Sequence, residues 1–349
     1  MNALFQRLIA SVSKRKWFAG RYRMTRRLGS GGMAEVWLAE RDDGKLVAIK
    51  RILSHLSDDP SVRLCFGDEA RLGRLLRHRG LVRQLDHGYV DEAPYIVLDY
   101  IDGLSLRQLA ERAHGAGTTL PLGLCLRLAA EVAEALHYAH RAQDAQGRPL
   151  HLVHRDISPD NILLDEHGRA HLGDFGVAKA DCNQRITANG SLCGKLAYMA
   201  PQQASAERVD HRADQFSLAV VLFELLACRR LLADTTPART LGRVLYTELP
   251  SITEVTIGLP SPLVDVLDQA LSRDPDARYE HCGAFAEALR AIGRRFDPCE
   301  DESYEAFLAY LSAQGGEPEP LPLAARLRRR VRVRRWVPLG DHTELGFVT

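Results

Sequence analysis

The most constraining stretch of this chain is His154-Arg155-Asp156-Ile157-Ser158-Pro159-Asp160-Asn161, which runs straight into the apolar Ile162-Leu163-Leu164. Thirteen residues after Asn161 comes Asp174-Phe175-Gly176. Polar groups in this order, with apolar flanks, are poorly explained as surface loops. They make sense if Asp156, Asn161 and Asp174 face one point. Moving a phosphoryl group needs a carboxylate to orient the attacking hydroxyl and hard oxygen donors to hold Mg²⁺ on the phosphates. Asp156 suits the first task, Asn161 and Asp174 the second. Whatever the chain folds into must bring two distant stretches together in a cleft.

The pattern along the chain supplies one. From Tyr22 to about Asp99 it is strand-like, with Tyr22–Gly29, Ala34–Glu40, Leu46–Lys50, Leu81–Val90 and Tyr95–Asp99 separated by Gly-rich or Asp-Asp-Gly turns. One helix, around Ser61–Arg77, follows Asp58-Asp59-Pro60. After Asp102-Gly103 the period becomes helical. Leu122–Arg141 is amphipathic, Asp210–Cys228 is apolar enough to be buried, and Pro262–Leu271, Ala284–Arg294 and 302–313 are shorter helices. A strand-rich small half before a helix-rich large half is a two-lobed α+β plan, with a ligand cleft expected at the junction.

The small half carries its own polar signal. In Leu28-Gly29-Ser30-Gly31-Gly32-Met33-Ala34-Glu35-Val36, glycines let backbone N–H groups approach phosphate oxygens. A plain Gly-rich hairpin reads the same way, and strand-like residues rather than a helix follow, so this is no dinucleotide fingerprint. Nineteen residues past Gly31, Lys50 ends the strand Val47-Ala48-Ile49-Lys50. It could snorkel to solvent, or contact phosphates if an acid holds it, and Glu69 is the natural partner.

Taken together, these motifs resemble a Hanks-type (eukaryotic-like) bacterial serine/threonine protein kinase, from about Tyr22 to Phe296. The resemblance implies a bilobal protein-kinase-like fold, with an N-lobe antiparallel sheet plus one helix and a mainly helical C-lobe. ATP and Mg²⁺ would lie between lobes 22–99 and 103–296. Lys50 would contact phosphates and pair with Glu69. Asp156 would be the base, and Asn161 and Asp174 the metal ligands. Leu28, Gly29, Ser30, Gly31, Gly32 and Met33 would cover the nucleotide. Val36, Ala48 and Leu163 would sandwich its ring, with Leu98 as gatekeeper and Asp99–Ile101 as hinge. Asp214 would hold the catalytic-loop backbone, and Ala200-Pro201 and Arg278 would end the peptide-binding scaffold. Arg155 implies an activation segment ordered by phosphate, with Thr187 or Ser191 as the modified residue.

The chain departs from the family pattern at several points. Ala34 replaces the third glycine of the flap. Gln202 stands where a scaffold Glu would pair with Arg278, and Gly73 where a larger apolar residue would lock the N-lobe helix, which is therefore expected to be mobile. Ser158 takes the place of a Lys that contacts the γ-phosphate. Lys195 stands where the family has Thr in the substrate-binding turn. These two positions touch in the family, so the pair is read as exchanged, with Lys195 supplying the missing cation.

Two other enzyme classes fit poorly. A small-molecule kinase would lack Ala200-Pro201-Gln202 after a long segment, and Gly190–Lys195 is one residue short of a P-loop without its following Ser/Thr. The remaining alternative is a catalytically weak pseudokinase acting as a nucleotide-binding or protein-interaction switch.

Composition narrows partners and compartment. With 46 Lys+Arg against 45 Asp+Glu, net charge is +1 and no global field selects nucleic acid. Protein substrates are the expected partners. Seven scattered Cys, never spaced CxxC, argue against a disulfide framework or zinc ribbon and suit a reducing compartment. No transmembrane run is present, and Lys14, Arg15 and Lys16 follow the apolar N-terminal residues, the reverse of a signal peptide, so a cytoplasmic location is expected. Residues 1–21 read as an N-terminal extension with a short amphipathic helix. Residues 297–349 read as a C-terminal extension with a linker at 315–322 and an Arg-rich segment, 326–335, that could bind acidic partners, RNA or anionic lipid, or simply be solvated.

Overall fold

In the computed structural model the described residues are 17–175, 195–296 and 302–313, with two short strands at 336–338 and 345–347. Five strands build the small lobe: β1 (Tyr22–Ser30), β2 (Ala34–Arg41), β3 (Leu46–Ile52), β4 (Gln84–Val90) and β5 (Ala93–Asp99). They pair antiparallel in the order β1-β2-β3-β5-β4. The period-two alternation of β3 decides which face does what. Val47 and Ile49 join Tyr22, Ala39, Tyr95 and Val97 in a small core on the outer face. Ala48 and Lys50 point the other way, toward the cleft. Helix α1 (Pro60–Gly73) starts with Asp59 accepting from the N–H groups of Ser61 and Val62, and packs Val62, Phe66 and Ala70 against Ile52 and Ile96.

The large lobe is built on α2 (Leu106–Gly115), α3 (Leu122–His140), the one-turn α4 (Pro201–Ala204), α5 (Arg212–Ala227), α6 (Pro237–Tyr246), α7 (Ser261–Ala270), α8 (Cys282–Phe296) and α9 (Glu302–Ala313). Helix α5 has no polar face and is buried from Ala213 to Phe223. A second sheet, β6-β7-β8, consists of Leu104–Ser105, Ile162–Leu164 and Ala170–Leu172. Strands β9 (Trp336–Pro338) and β10 (Leu345–Phe347) form an antiparallel pair.

Several expectations are corrected. The first helix ends at Gly73 rather than Arg77, because the following residues turn, with the Leu75 N–H donating to the Leu72 carbonyl. Leu81 is not part of β4, but bridges instead to Leu172 in the other lobe. Helices α2 and α6 are additions to the sequence reading. Cys65 is disulfide-bonded, while Cys125, Cys228 and Cys282 are free. Among the described residues no helix is long and apolar enough to cross a membrane. The N-terminal helix, the linker and the Arg-rich segment lie outside the described residues, as do Thr187 and Ser191.

Candidate active site

Lys50 lies opposite Val36 on β2 and Ile96 on β5. That register aims it under the flap formed by β1, β2 and their turn. Its Nζ is 2.5 Å from Glu69 Oε1 on α1 and 2.8 Å from Asp174 Oδ1. Burial alone would push the ammonium down, but the carboxylates of Asp174 and Glu69 outweigh it and hold Lys50 above the usual lysine range. Three elements distant in sequence therefore meet at one ammonium.

Gly73 leaves room for Gln84, whose Nε2 donates to the Ala70 carbonyl at 2.8 Å. A Cβ at position 73 would lie 2.4 Å from Gln84 Oε1. The missing apolar lock on α1 is thus replaced by a buried amide that fills the space beside Gly73.

The opposite wall is the loop from His154 to Asn161. Asp214, fully buried at the start of α5, accepts from the backbone N–H of His154 at 2.7 Å and of Arg155 at 2.8 Å, and contacts His140 Nε2 at 2.8 Å. Burial would raise its pKa, but the hydrogen bond and charge of His140, with His154, hold it below the usual range. His154 in turn reaches the Gly173 carbonyl at 3.0 Å. Arg155 and Asp174 both adopt left-handed backbone, at φ 62° and 53°. For such residues this conformation costs about 1–3 kcal/mol each, so surrounding bonds must impose it.

These bonds deliver Asp156 and Asn161 to the cleft. Asn161 Nδ2 donates to the Asp156 backbone oxygen at 2.6 Å and to Oδ2 at 3.1 Å. With Nδ2 committed to Asp156, the amide oxygen is the atom left to meet a cation. Together with the Asp174 carboxylate it offers hard oxygen donors. Among the described residues no three His, Cys, Asp or Glu side chains form a cage of their own. Asn161 and Asp174 are a donor set of the kind Mg²⁺ takes, one or two protein oxygens completed by phosphates and water.

Lys195 Nζ lies 2.6 Å from Asp156 Oδ2. Ser158 is buried, and among the described residues its hydroxyl has no partner. The serine position therefore presents no charge to the cleft, and the lysine from across the groove does.

A single cavity of about 1120 Å³ connects these groups. Its upper wall is Leu28, Gly29, Ser30, Gly31, Gly32 and Met33, with Val36 and Ala48 behind them. Leu98, Asp99 and Ile101 form the inner edge and Leu163 lies on the floor. Asp156, Asn161, Asp174 and Lys195 line the outer end. All the described residues singled out from sequence for this cleft thus face one space.

The peptide scaffold carries the expected substitution. Buried Arg278 donates through Nη2 to Gln202 Oε1 at 3.2 Å, through Nε to the Ser272 carbonyl at 2.8 Å and through Nη1 to the Arg212 carbonyl at 2.9 Å. Burial pulls its pKa down to about 10, against the opposing charges of Asp210 and Asp274. Sequence reasoning missed His140, Gln84 and the Tyr304 contact described below. Their spacing carries no motif, and only the tertiary fold brings them to the site.

The chain belongs to the protein kinase domain family, whose model matches residues 22–289. It is 38% identical over 277 residues to the tyrosine-protein kinase MasK of Myxococcus xanthus, covering 78% of this chain and 43% of that protein. It is 34% identical over 277 residues to the serine/threonine-protein kinase Pkn1 of Myxococcus xanthus, covering 78% of this chain and 38% of that one. The chain therefore spans about two fifths of these relatives. The crystal structure of the Mycobacterium tuberculosis PknI kinase domain superimposes with a TM-score of 0.59 at 28% identity, covering 77% of this chain and 95% of that domain. The family uses ATP and Mg²⁺, and its fold has the five-stranded N-lobe sheet and helical C-lobe seen here.

Proposed function

We propose that this chain transfers the γ-phosphoryl group of ATP to Ser/Thr hydroxyls of proteins. The observation that carries this reading is the convergence of Lys50, Glu69 and Asp174 at one ammonium, in the same cavity as Asp156 and Asn161. Lys50, held by Glu69, orients the nucleotide phosphates. Asn161 and Asp174 would hold Mg²⁺, which when bound offsets phosphate charge. Asp156 orients the acceptor hydroxyl and takes up its proton. Leu28 to Met33 cover the nucleotide, Val36, Ala48 and Leu163 pack on its ring, and Leu98 with Asp99–Ile101 sets the inner edge. Lys195 supplies the cation that Ser158 lacks, facing the developing negative charge. Ser158 and Gln202 lean slightly toward the nucleotide-binding-switch alternative, but the intact Lys50, Glu69, Asp156, Asn161 and Asp174 weigh heavily against it.

The test is incubation with radiolabelled ATP, Mg²⁺ and a generic basic protein, with Asp156→Asn as control. Label on Ser or Thr that vanishes in the control supports the proposal, whereas equal labelling by both proteins rejects it. The same digest addresses a second reading, transfer to tyrosine, which rests on the likeness to a relative named as a tyrosine kinase. Autophosphorylation at Thr187 or Ser191 is read by mass spectrometry of the active protein. A cytoplasmic location and docking of a partner by the Arg-rich segment complete the proposal. Comparing pull-downs by the full chain and a 1–315 truncation checks the docking.

A further inference from the structure

Asn161 immediately precedes β7, and Gly173-Asp174 immediately follows β8. The two proposed metal ligands thus sit at the open end of one hairpin, closed there by the Gly173 N–H donating to the Asn161 carbonyl at 2.9 Å. Each strand has only three residues, so the hairpin is a lever on the order of 10 Å long. An isolated pair this short is not stable, and its direction is set by what touches it. Strand β6 pairs with β7, and Leu81 bridges to Leu172.

The far end of the lever is the turn Asp165–Arg169. Asp165 Oδ1 accepts from the N–H groups of His167 and Arg169, and Arg127 of α3 donates to the Gly168 carbonyl at 3.0 Å. The remaining face of this turn is covered by α9, which lies beyond the residues matched by the family model. Tyr304, Phe307 and Leu311 form its buried stripe. Gly168 has φ +70°, and a Cβ there would lie 2.2 Å from Tyr304 Cγ. Backbone and ring therefore approach as closely as they do only because position 168 has no side chain. Tyr304 also lines the cleft cavity, and burial raises its hydroxyl pKa to about 12, so it stays neutral.

We propose that Tyr304 is a positioning residue: seated on Gly168, it fixes the turn of the β7–β8 hairpin and thereby the placement of Asn161 against Asp174. This rests on the reading that those two residues hold Mg²⁺. Groups that orient metal ligands from behind commonly shift metal affinity by about 10- to 100-fold when removed.

The experiment uses the full chain and measures nucleotide binding against Mg²⁺ concentration, together with hydrogen exchange of the hairpin amides. Tyr304→Leu keeps an apolar contact but loses the ring. It is expected to raise the Mg²⁺ concentration for half-saturation on the order of tenfold and to speed exchange in 162–172. Nucleotide binding in chelator should not change, and Tyr304→Phe should restore wild-type behaviour. Leu311→Ala, two turns along the same stripe, should lower the melting temperature without the Mg²⁺ shift. Wild-type Mg²⁺ dependence in Tyr304→Leu overturns the proposal. So does an equal shift in Leu311→Ala, which would mark a general loss of stability. Asp174→Asn in the same titration separates the two levels: if it leaves Mg²⁺ dependence intact, the metal-holding reading fails first.

Discussion

Two lysine–carboxylate pairs face each other across the cleft, and they differ in burial. The Lys50 side chain is 7% exposed and contacts two carboxylates from different elements. The Lys195 side chain is 36% exposed and meets one carboxylate, which it shares with Asn161. A buried ion cannot lose its partners without leaving charge stranded in a poorly solvated place. A half-exposed one exchanges its partner for water at little cost. Lys50 is therefore part of what holds the lobes in register, whereas Lys195, if it acts as proposed, matters mainly to the reaction.

The strongest way to break this contrast is Lys50→Met. It leaves Glu69 and Asp174 facing each other and should lower stability by about 3–5 kcal/mol, read by denaturant unfolding. Phosphotransfer should fall on the order of 10³-fold. A variant that unfolds like wild type would show that the pair does not bind the lobes together.

Lys195→Ala should behave differently. Its stability should change by less than about 1 kcal/mol, while kcat drops about 10²-fold. The exchanged double variant Ser158→Lys/Lys195→Thr should recover most of that loss. If Lys195→Ala keeps full phosphotransfer, or the double variant is no better than the single one, the exchange of cation and hydroxyl is wrong.

The two walls were also unequally legible. Lys50, Glu69, Asp156, Asn161 and Asp174 could be read because their chemistry demands particular residue types beside strongly apolar runs. Lys195 was legible only as a departure at two positions, and its contact with Asp156 bears on that reading. Strands β7 and β8 escaped because three residues show no period. Helix α2 escaped although Ser105 and Gln108 form a reciprocal N-terminal cap. Gln84 beneath Gly73 and Tyr304 over Gly168 were beyond reach, since each depends on elements brought together only by the fold.

Asp214 extends the comparison to a buried carboxylate held by N–H groups and histidine rather than by an ammonium. Asp214→Asn should cost about 2 kcal/mol, the scale of hydrogen bonds to a charged group. Its folded pKa lies below the unfolded value of about 3.9, so its contribution is present above about pH 4 and fades as pH falls through the folded value. Wild-type melting temperatures should therefore drop steeply on the acid side, and the variant's should drop less. Parallel acid limbs would assign the loss to other carboxylates.

The smallest effect belongs to Arg278, a buried cation whose hydrogen bonds among the described residues go to carbonyl and amide oxygens rather than to a carboxylate. Arg278 meets Gln202 through the amide oxygen, while Gln202 Nε2 is buried without a partner among the described residues. Gln202→Glu removes that orphan donor and supplies a charge to a guanidinium already held in place by backbone carbonyls. Because the desolvation of Arg278 is already present in the wild type, the added attraction acts against only one new burial, that of the carboxylate. The net gain should be about 1 kcal/mol or less, seen as a modest rise in melting temperature with unchanged kcat. A fall instead would mean that the new carboxylate's desolvation exceeds its attraction to Arg278, and that burial rather than pairing governs this lobe.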